Sequence, residues 1–369
     1  MKTDQRIVLL NPGPVTLTGR VRHALLHHDV CHREPEYAQL QTEVRARLAR
    51  VYTETADGYV ATLLTGSGTA AVEAMVGSLI PGRGKALVVA NGIYGERVAA
   101  ILQAQGKKFE LIRSEWVEPI NVQQAESRLK GDGTFTHVVT VHHETTTGRL
   151  NDLAALGEIC RRQRVALLLD AVSSFGGEAI DFDGWNIEGC AATANKCLHG
   201  VPGIAFVLVR RQVFEERASG ANSFYLDLFR NYEEQSSGYP MFTPAVQVVA
   251  ALREALIELE ETGGWERRHH HYRSLSEGLR RELRAQGLRL LLDDERHYSA
   301  ILTSFLLPDG IAFTDLYGGL KESGYVIYAG QKSLAQAIFR VSVMGDLTLQ
   351  DIRDFTPALA QVIKRLAPA

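Results

Sequence analysis

Short β-rich runs alternate with helical patterns through the first two thirds of the chain, and this alternation constrains the fold more than any other feature. Tyr59–Leu64, Ala86–Ala90, Phe109–Ile112, His137–His142, Val165–Leu169 and Ile204–Val209 have the composition of strands. Thr69–Leu79, Gly95–Gln105, Val122–Leu129 and Leu153–Arg162, between them, repeat apolar residues at helical spacing. Strands and helices alternating in this way predict an α/β fold, a mainly parallel sheet covered on both faces. Ligands in such sheets bind beyond the carboxyl ends of the strands, so the residues just after each run are the first candidates for chemistry.

The texture changes after about residue 245. Gln247–Glu261 and Gly264–Gln286 read as Arg/Glu-rich amphipathic helices. Apolar runs at Leu288–Leu292 and Ala300–Leu307 follow, then a helix near Phe313–Ser323, strands at Val326–Tyr328 and Ile338–Val343, and a last helix from Leu349. With 369 residues the chain exceeds the roughly 250–300 at which one core stops growing, so two domains are expected. The division read here is an extended arm over 1–20, a large domain over 21–245, and a smaller α+β domain over 246–369 that starts with an interdomain helix.

Charge narrows the possible partners. Forty basic against forty-three acidic residues leave −3, and neither nucleic acid nor a membrane surface is bound without a basic field. Any phosphate-bearing ligand must therefore be held at one local site. The four cysteines, Cys31, Cys160, Cys190 and Cys197, form no CxxC pair and are too few for a disulfide scaffold. The first residues hold one short apolar run broken by Pro12, unlike a signal peptide, and no apolar stretch approaches the roughly 18 residues of a membrane helix. A reduced, soluble, cytoplasmic protein is expected.

Thr65-Gly66-Ser67-Gly68-Thr69-Ala70-Ala71 follows an apolar strand and opens a helix. Backbone N–H groups at that start, with the Ser67 and Thr69 hydroxyls, form a phosphate cradle; a tight turn without a ligand is the plainer alternative. The stretch also fits GxGxxA, the dinucleotide fingerprint, which requires an acidic residue closing the second strand. That strand ends Val88-Val89-Ala90-Asn91-Gly92, without a carboxylate.

The run Val165–Leu169 ends in Asp170, either a helix cap or a functional carboxylate at the ligand edge. Lys196 stands apart among nine lysines: it follows the small apolar run beginning at Ala191 and precedes Gly200-Val201-Pro202-Gly203. A lysine with little charged company loses its proton readily and serves as an amine nucleophile. Its bland reading is a snorkelling side chain. Cradle, amine and acid together suit pyridoxal 5'-phosphate, whose ring nitrogen must stay protonated for the ring to accept electrons. Tyr94, in Asn91-Gly92-Ile93-Tyr94-Gly95, is placed to lie flat on that ring.

With these residues the chain resembles the class V, fold-type I aminotransferases from Leu9 nearly to its end. The likeness is most specific at Gly66–Thr69 with Val72 and Glu73, at His143-Glu144-Thr145-Thr146-Thr147-Gly148, at Asp170–Gly177, and at Ala194-Asn195-Lys196-Cys197 with Gly200–Gly203. It implies a large domain built on a mainly parallel seven-stranded sheet. It implies that Lys196 carries the cofactor and then shuttles the substrate proton, that Asp170 pairs with the ring nitrogen, and that the backbone of Gly68 and Thr69, with the Thr193 hydroxyl, holds the phosphate, beside the Ser67 of the cradle read above. By the same resemblance Thr145 lies near the ring hydroxyl, Val172 under the ring and Tyr94 over it. Thr243, in Phe242-Thr243-Pro244, would reach the phosphate of a neighbouring subunit, which implies a homodimer with composite sites.

Arg340 matches the substrate-anion anchor of that family; Gly13 is read as a further substrate contact, and Arg33, in Cys31-His32-Arg33-Glu34-Pro35-Glu36, as either a second anion contact or part of a helix-start loop. A guanidinium fork suits phosphonate and carboxylate oxygens alike. The implied reaction moves the amino group of 2-aminoethylphosphonate to pyruvate; alanine or serine with glyoxylate is the alternative. Two segments depart from the family pattern, Tyr328-Ala329-Gly330-Gln331-Lys332 before Arg340 and Ser342-Val343-Met344-Gly345 after it. Consecutive histidines on a helix point in three directions, so His269-His270-His271 are expected on a solvated face, and no metal site is expected. Cys190 and Cys197 read as packing residues.

Overall fold

Apolar residues occupy both parities of the main strands. In Leu167-Leu168-Leu169 the outer two enter one hydrophobic core and the middle one enters another; Leu87 and Val89 part from Ala86 and Val88 in the same way. Strands buried on both faces belong inside a layer of helices on each side. The computed structural model describes residues 6–367 and holds seven such strands in one sheet. They are β1 (Tyr59–Gly66), β2 (Lys85–Ala90), β3 (Lys108–Arg113), β4 (Phe135–Val141), β5 (Ala166–Asp170), β6 (Ile187–Thr193) and β7 (Gly203–Arg210). Their order is β1-β7-β6-β5-β4-β2-β3, and only β7 runs antiparallel to its neighbours. Six carboxyl ends therefore open on one edge of the sheet.

Six of these strands are the runs expected above. The seventh, β6, carries branched residues only at its ends, Ile187 and Thr193, and small ones between, because its middle has little room. A Cβ on Gly189 would lie 2.5 Å from Leu79 and 3.2 Å from Leu168. Leu79 ends α1 (Gly68–Leu79), which lies across that part of the sheet; α2 (Ile93–Ala104) follows β2.

The carboxyl-terminal part has its own core around a three-stranded antiparallel sheet of β8 (Leu302–Leu306), β9 (Tyr328–Ala329) and β10 (Ile338–Ser342), with β10 in the middle. The helix opening this part, α3 (Val246–Glu261), buries Val249, Leu252, Leu256 and Leu259 in the large core. The second core draws instead on α4 (Gly264–Ala285) and α5 (Leu349–Leu366). Leu288–Leu292 forms only a single bridge, Leu290 with Phe305. The run expected at Val326–Tyr328 is split, because the chain changes partner: Tyr325–Val326 pairs in parallel with Val8–Leu9, whereas β9 pairs with β10. The amino-terminal arm is thereby stitched to the small domain, with Leu10 and Val15 in its core; the first five residues of that arm lie outside the described residues. No helix among the described residues is long and apolar enough to cross a membrane.

Candidate active site

The loops after β1, β2, β4, β5 and β6 meet at the sheet's carboxyl edge. Helix α1 starts directly after β1, and its cap residue Ser67, exposed, makes no side-chain capping bond. The N–H groups of Gly68 and Thr69 find no acceptor among the described residues, which leaves them and the positive end of the helix dipole to an anion. Asp170 closes β5, buried, with Oδ1 accepting the Val172 N–H at 3.0 Å. Burial pushes its carboxyl up to about 6, against the pull of the Val172 N–H, Arg97 and Lys196.

Lys196 lies half-buried in the turn after β6, and its Nζ donates to the Pro12 carbonyl of the arm. Loss of hydration brings its ammonium down to about 8; Arg340 and Arg97 push the same way, Cys197 and Asp170 the other. Gly13 packs on this lysine. A Cβ there would lie 2.7 Å from Lys196 Cδ and 2.8 Å from the Asn195 carbonyl, and its φ of +89° is one that glycine adopts without strain.

Five of the expected cofactor residues, Gly68, Thr69, Tyr94, Asp170 and Val172, line one small cavity. Thr193 is buried at the end of β6, its hydroxyl 2.9 Å from Asn195 Oδ1 and 3.1 Å from the Ile204 carbonyl. Thr145 contributes main chain: its carbonyl accepts Arg340 Nη1 at 2.6 Å. Arg340 itself follows from strand alternation, since Phe339 and Val341 enter the small core and the residue between them points the other way. It is buried, and Nε donates to the Ala329 carbonyl at 2.8 Å. Two donors of the expected fork are thus committed to main chain, and Nη2 has no partner among the described residues. Tyr328 stands directly across from Arg340 with its ring centroid 6.0 Å from Cζ.

Two expected residues do not join this cluster within one chain. Thr243 is exposed in a separate groove with Thr65, Tyr225 and Phe242. Arg33 is exposed in the turn before the helix Pro35–Leu48 and shares no hydrogen bond or ion pair with the cluster among the described residues.

The structure also brings in residues that the sequence reading passed over. Arg97 stands one turn after Tyr94 on α2, lines the same cavity, and places Cζ 4.6 Å from the Tyr94 ring. Its Nη1 donates to Thr69 Oγ1 at 3.3 Å. Glu144, quoted above only within a motif, is fully buried and closes the first turn of α2: its carboxylate accepts the Gly95 N–H at 3.4 Å and the Thr146 hydroxyl at 2.5 Å. Burial pushes that carboxyl up to about 7. A Cβ on Gly92 would overlap it. One expectation is corrected in part: His270 and His271 are exposed as expected, but His269 is half-buried and paired. Its Nδ1 lies 3.1 Å from the buried Glu178, whose other oxygen accepts the Ala300 N–H at 2.7 Å, because that carboxylate, taken out of water, needs partners from α4 and the small domain. His271 turns instead to the Leu347 carbonyl.

A sheet of this topology, with a lysine, a carboxylate and an open helix start along its carboxyl edge, defines the fold-type I transferases. The chain belongs to the class V aminotransferases, whose family model matches residues 20–355; such enzymes depend in general on pyridoxal 5'-phosphate. It is 38% identical to the 2-aminoethylphosphonate–pyruvate transaminase of Bacillus cytotoxicus, over 97% of this chain and 98% of that one. Among solved structures it is similar to ureidoglycine–glyoxylate aminotransferase from Bacillus subtilis (TM-score 0.90, 25% identity, 99% of this chain and 95% of that one). It is likewise similar to alanine–glyoxylate aminotransferase from Nostoc sp. (TM-score 0.89, 26% identity, 97% and 96%).

Proposed function

We propose that the chain is a pyridoxal 5'-phosphate-dependent transaminase that moves the amino group of 2-aminoethylphosphonate to pyruvate, giving phosphonoacetaldehyde and L-alanine. The observation that carries this reading is Arg340, a buried guanidinium held rigid by two main-chain carbonyls with Nη2 left over. A pre-aimed cation of this kind binds first the phosphonate of the donor and then the carboxylate of the acceptor. Relatives of matching length that carry this activity in their names support the same choice.

The donor set fits the cofactor. Gly68 and Thr69 offer open N–H groups to a phosphate, and Tyr94 and Val172 line a slot for a flat ring. The buried Asp170, short of water, is stabilised as a carboxylate by a cation such as a protonated ring nitrogen. When bound, the cofactor supplies the electron sink that makes the amine-bearing carbon acidic. Lys196 Nζ, its proton loosened by burial, takes the proton from that carbon and returns one on the far side of the transfer. Arg340 keeps the anionic end of either substrate in one place while the amine end exchanges. The Pro12 carbonyl and Gly13 hold the lysine from above and exclude water.

Thr243 fits a homodimer in which it reaches the partner's phosphate. Beside it Phe224 and Tyr225, 62% and 42% exposed, pack against Phe242 with centroids 5.9 and 4.8 Å apart, an apolar surface that a second copy would cover. A second reading, alanine or serine with glyoxylate, is favoured by the altered segment whose Ala329 carbonyl holds Arg340. Steady-state kinetics with a donor panel tests both. Phosphonoacetaldehyde released in step with alanine is the expected result; no aldehyde while another amine turns over would overturn the first reading.

A further inference from the structure

We propose that Arg97 supplies, within its own chain, the side-chain cation for the phosphate end of the cofactor site. This rests on the transaminase reading above and goes beyond it, because none of the expected phosphate contacts carries a charge. A phosphate monoester bears about −1.5 to −2 near pH 7, whereas a helix start offers only about +0.5. Ser67, Thr69, Thr193 and Thr243 are neutral. The Lys196 nitrogen would be taken up by the cofactor's aldehyde carbon and by proton transfer, so the phosphate lacks a counter-charge unless another residue provides one.

Arg97 has the placement for it. It is half-buried, lines the cavity with Gly68 and Thr69, and points Nη1 at the Thr69 hydroxyl. It forms no ion pair among the described residues, an unusual state for a guanidinium partly removed from water. Its Cζ lies over the Tyr94 ring, 4.6 Å from the centroid, a contact that holds it without neutralising it. The i,i+3 spacing on α2 therefore sets an aromatic for the ring and a cation for its anionic substituent on one helix face.

The test compares two ligands that differ only in the phosphate. The full-length chain, stripped of cofactor, is titrated by absorbance with pyridoxal 5'-phosphate and separately with pyridoxal. Arg97→Met is expected to weaken the phosphorylated ligand roughly 10–100-fold more than pyridoxal, the range for one charge-assisted hydrogen bond. Arg97→Gln repeats the measurement if the methionine variant does not fold. A selective loss below about tenfold, or equal losses for both ligands, overturns the proposal and leaves Arg97 as a support for Tyr94. Unmodified chain must first capture pyridoxal at Lys196, located by borohydride trapping and mass spectrometry. Failure there would overturn the transaminase reading itself and with it this one.

Discussion

The cradle and the rim of this site are built differently. The cradle sits on β1, β4, β5 and β6, strands buried on both faces, and its side chains are held by main chain: Asp170 by the Val172 N–H, Glu144 by the Gly95 N–H of α2, Lys196 by the Pro12 carbonyl. The rim comes from β9 and β10 of a three-stranded sheet and the short segments beside them, where Lys332 reaches Glu96 across the domain boundary at 3.4 Å with its side chain 64% exposed. The difference teaches a division of labour. With the roles proposed above, chemistry is placed where burial tunes proton affinity, and substrate choice where the chain can vary without disturbing it.

Substitutions can break this comparison or sharpen it. Lys196→Ala should cost the most, roughly 10²–10⁴-fold or more in single-turnover transamination, with the covalent label lost and both substrates affected equally. Capture of added cofactor by the stripped chain should slow as pH falls through about 8, because the protonated amine cannot attack and burial has brought that proton down to this range. Arg340→Ala should lower kcat/KM for 2-aminoethylphosphonate and for pyruvate roughly 10–100-fold while leaving cofactor affinity within about twofold. A large loss of cofactor affinity in that variant would erase the distinction between the two regions.

Smaller effects test the supports. Gly92→Ala forces a methyl into the Glu144 carboxyl and should destabilise the fold by about 1–3 kcal/mol, read as a lowered Tm, with activity falling through Tyr94. Lys332→Ala removes an exposed pair and should cost no more than about 0–1 kcal/mol and change rates by less than about twofold. If it changed donor preference strongly, the rim would be a more organised structure than its exposure suggests.

What the sequence disclosed follows the same boundary. Lys196 and Asp170 were legible because each ends a small or apolar run in a place where charge is costly. Strand β6 was hidden, since its alanines and Gly189 answer to α1 packing and carry no strand signature of their own. Arg97 was hidden for the opposite reason: an arginine one turn into a helix is commonplace, and only the fold shows Thr69 beside it. Glu144 could not be read because its partner, Gly95, lies about fifty residues earlier and meets it only once β2 and β4 pair. His269 misled, as a histidine run on a polar helix gives no hint of Glu178 waiting on the other domain.

The pairing of Val8–Leu9 with Tyr325–Val326 has a consequence for biosynthesis. Pro12 and Gly13 are drawn over Lys196 by a strand whose mate, Tyr325–Val326, is synthesised well after the large sheet. A growing polypeptide can assemble the large sheet early, yet the Lys196 amine stays uncovered until Tyr325–Val326 has emerged. With the function proposed above, vitamin B6 capture is thus suited to a polypeptide in which that late-made strand has already drawn the arm into place.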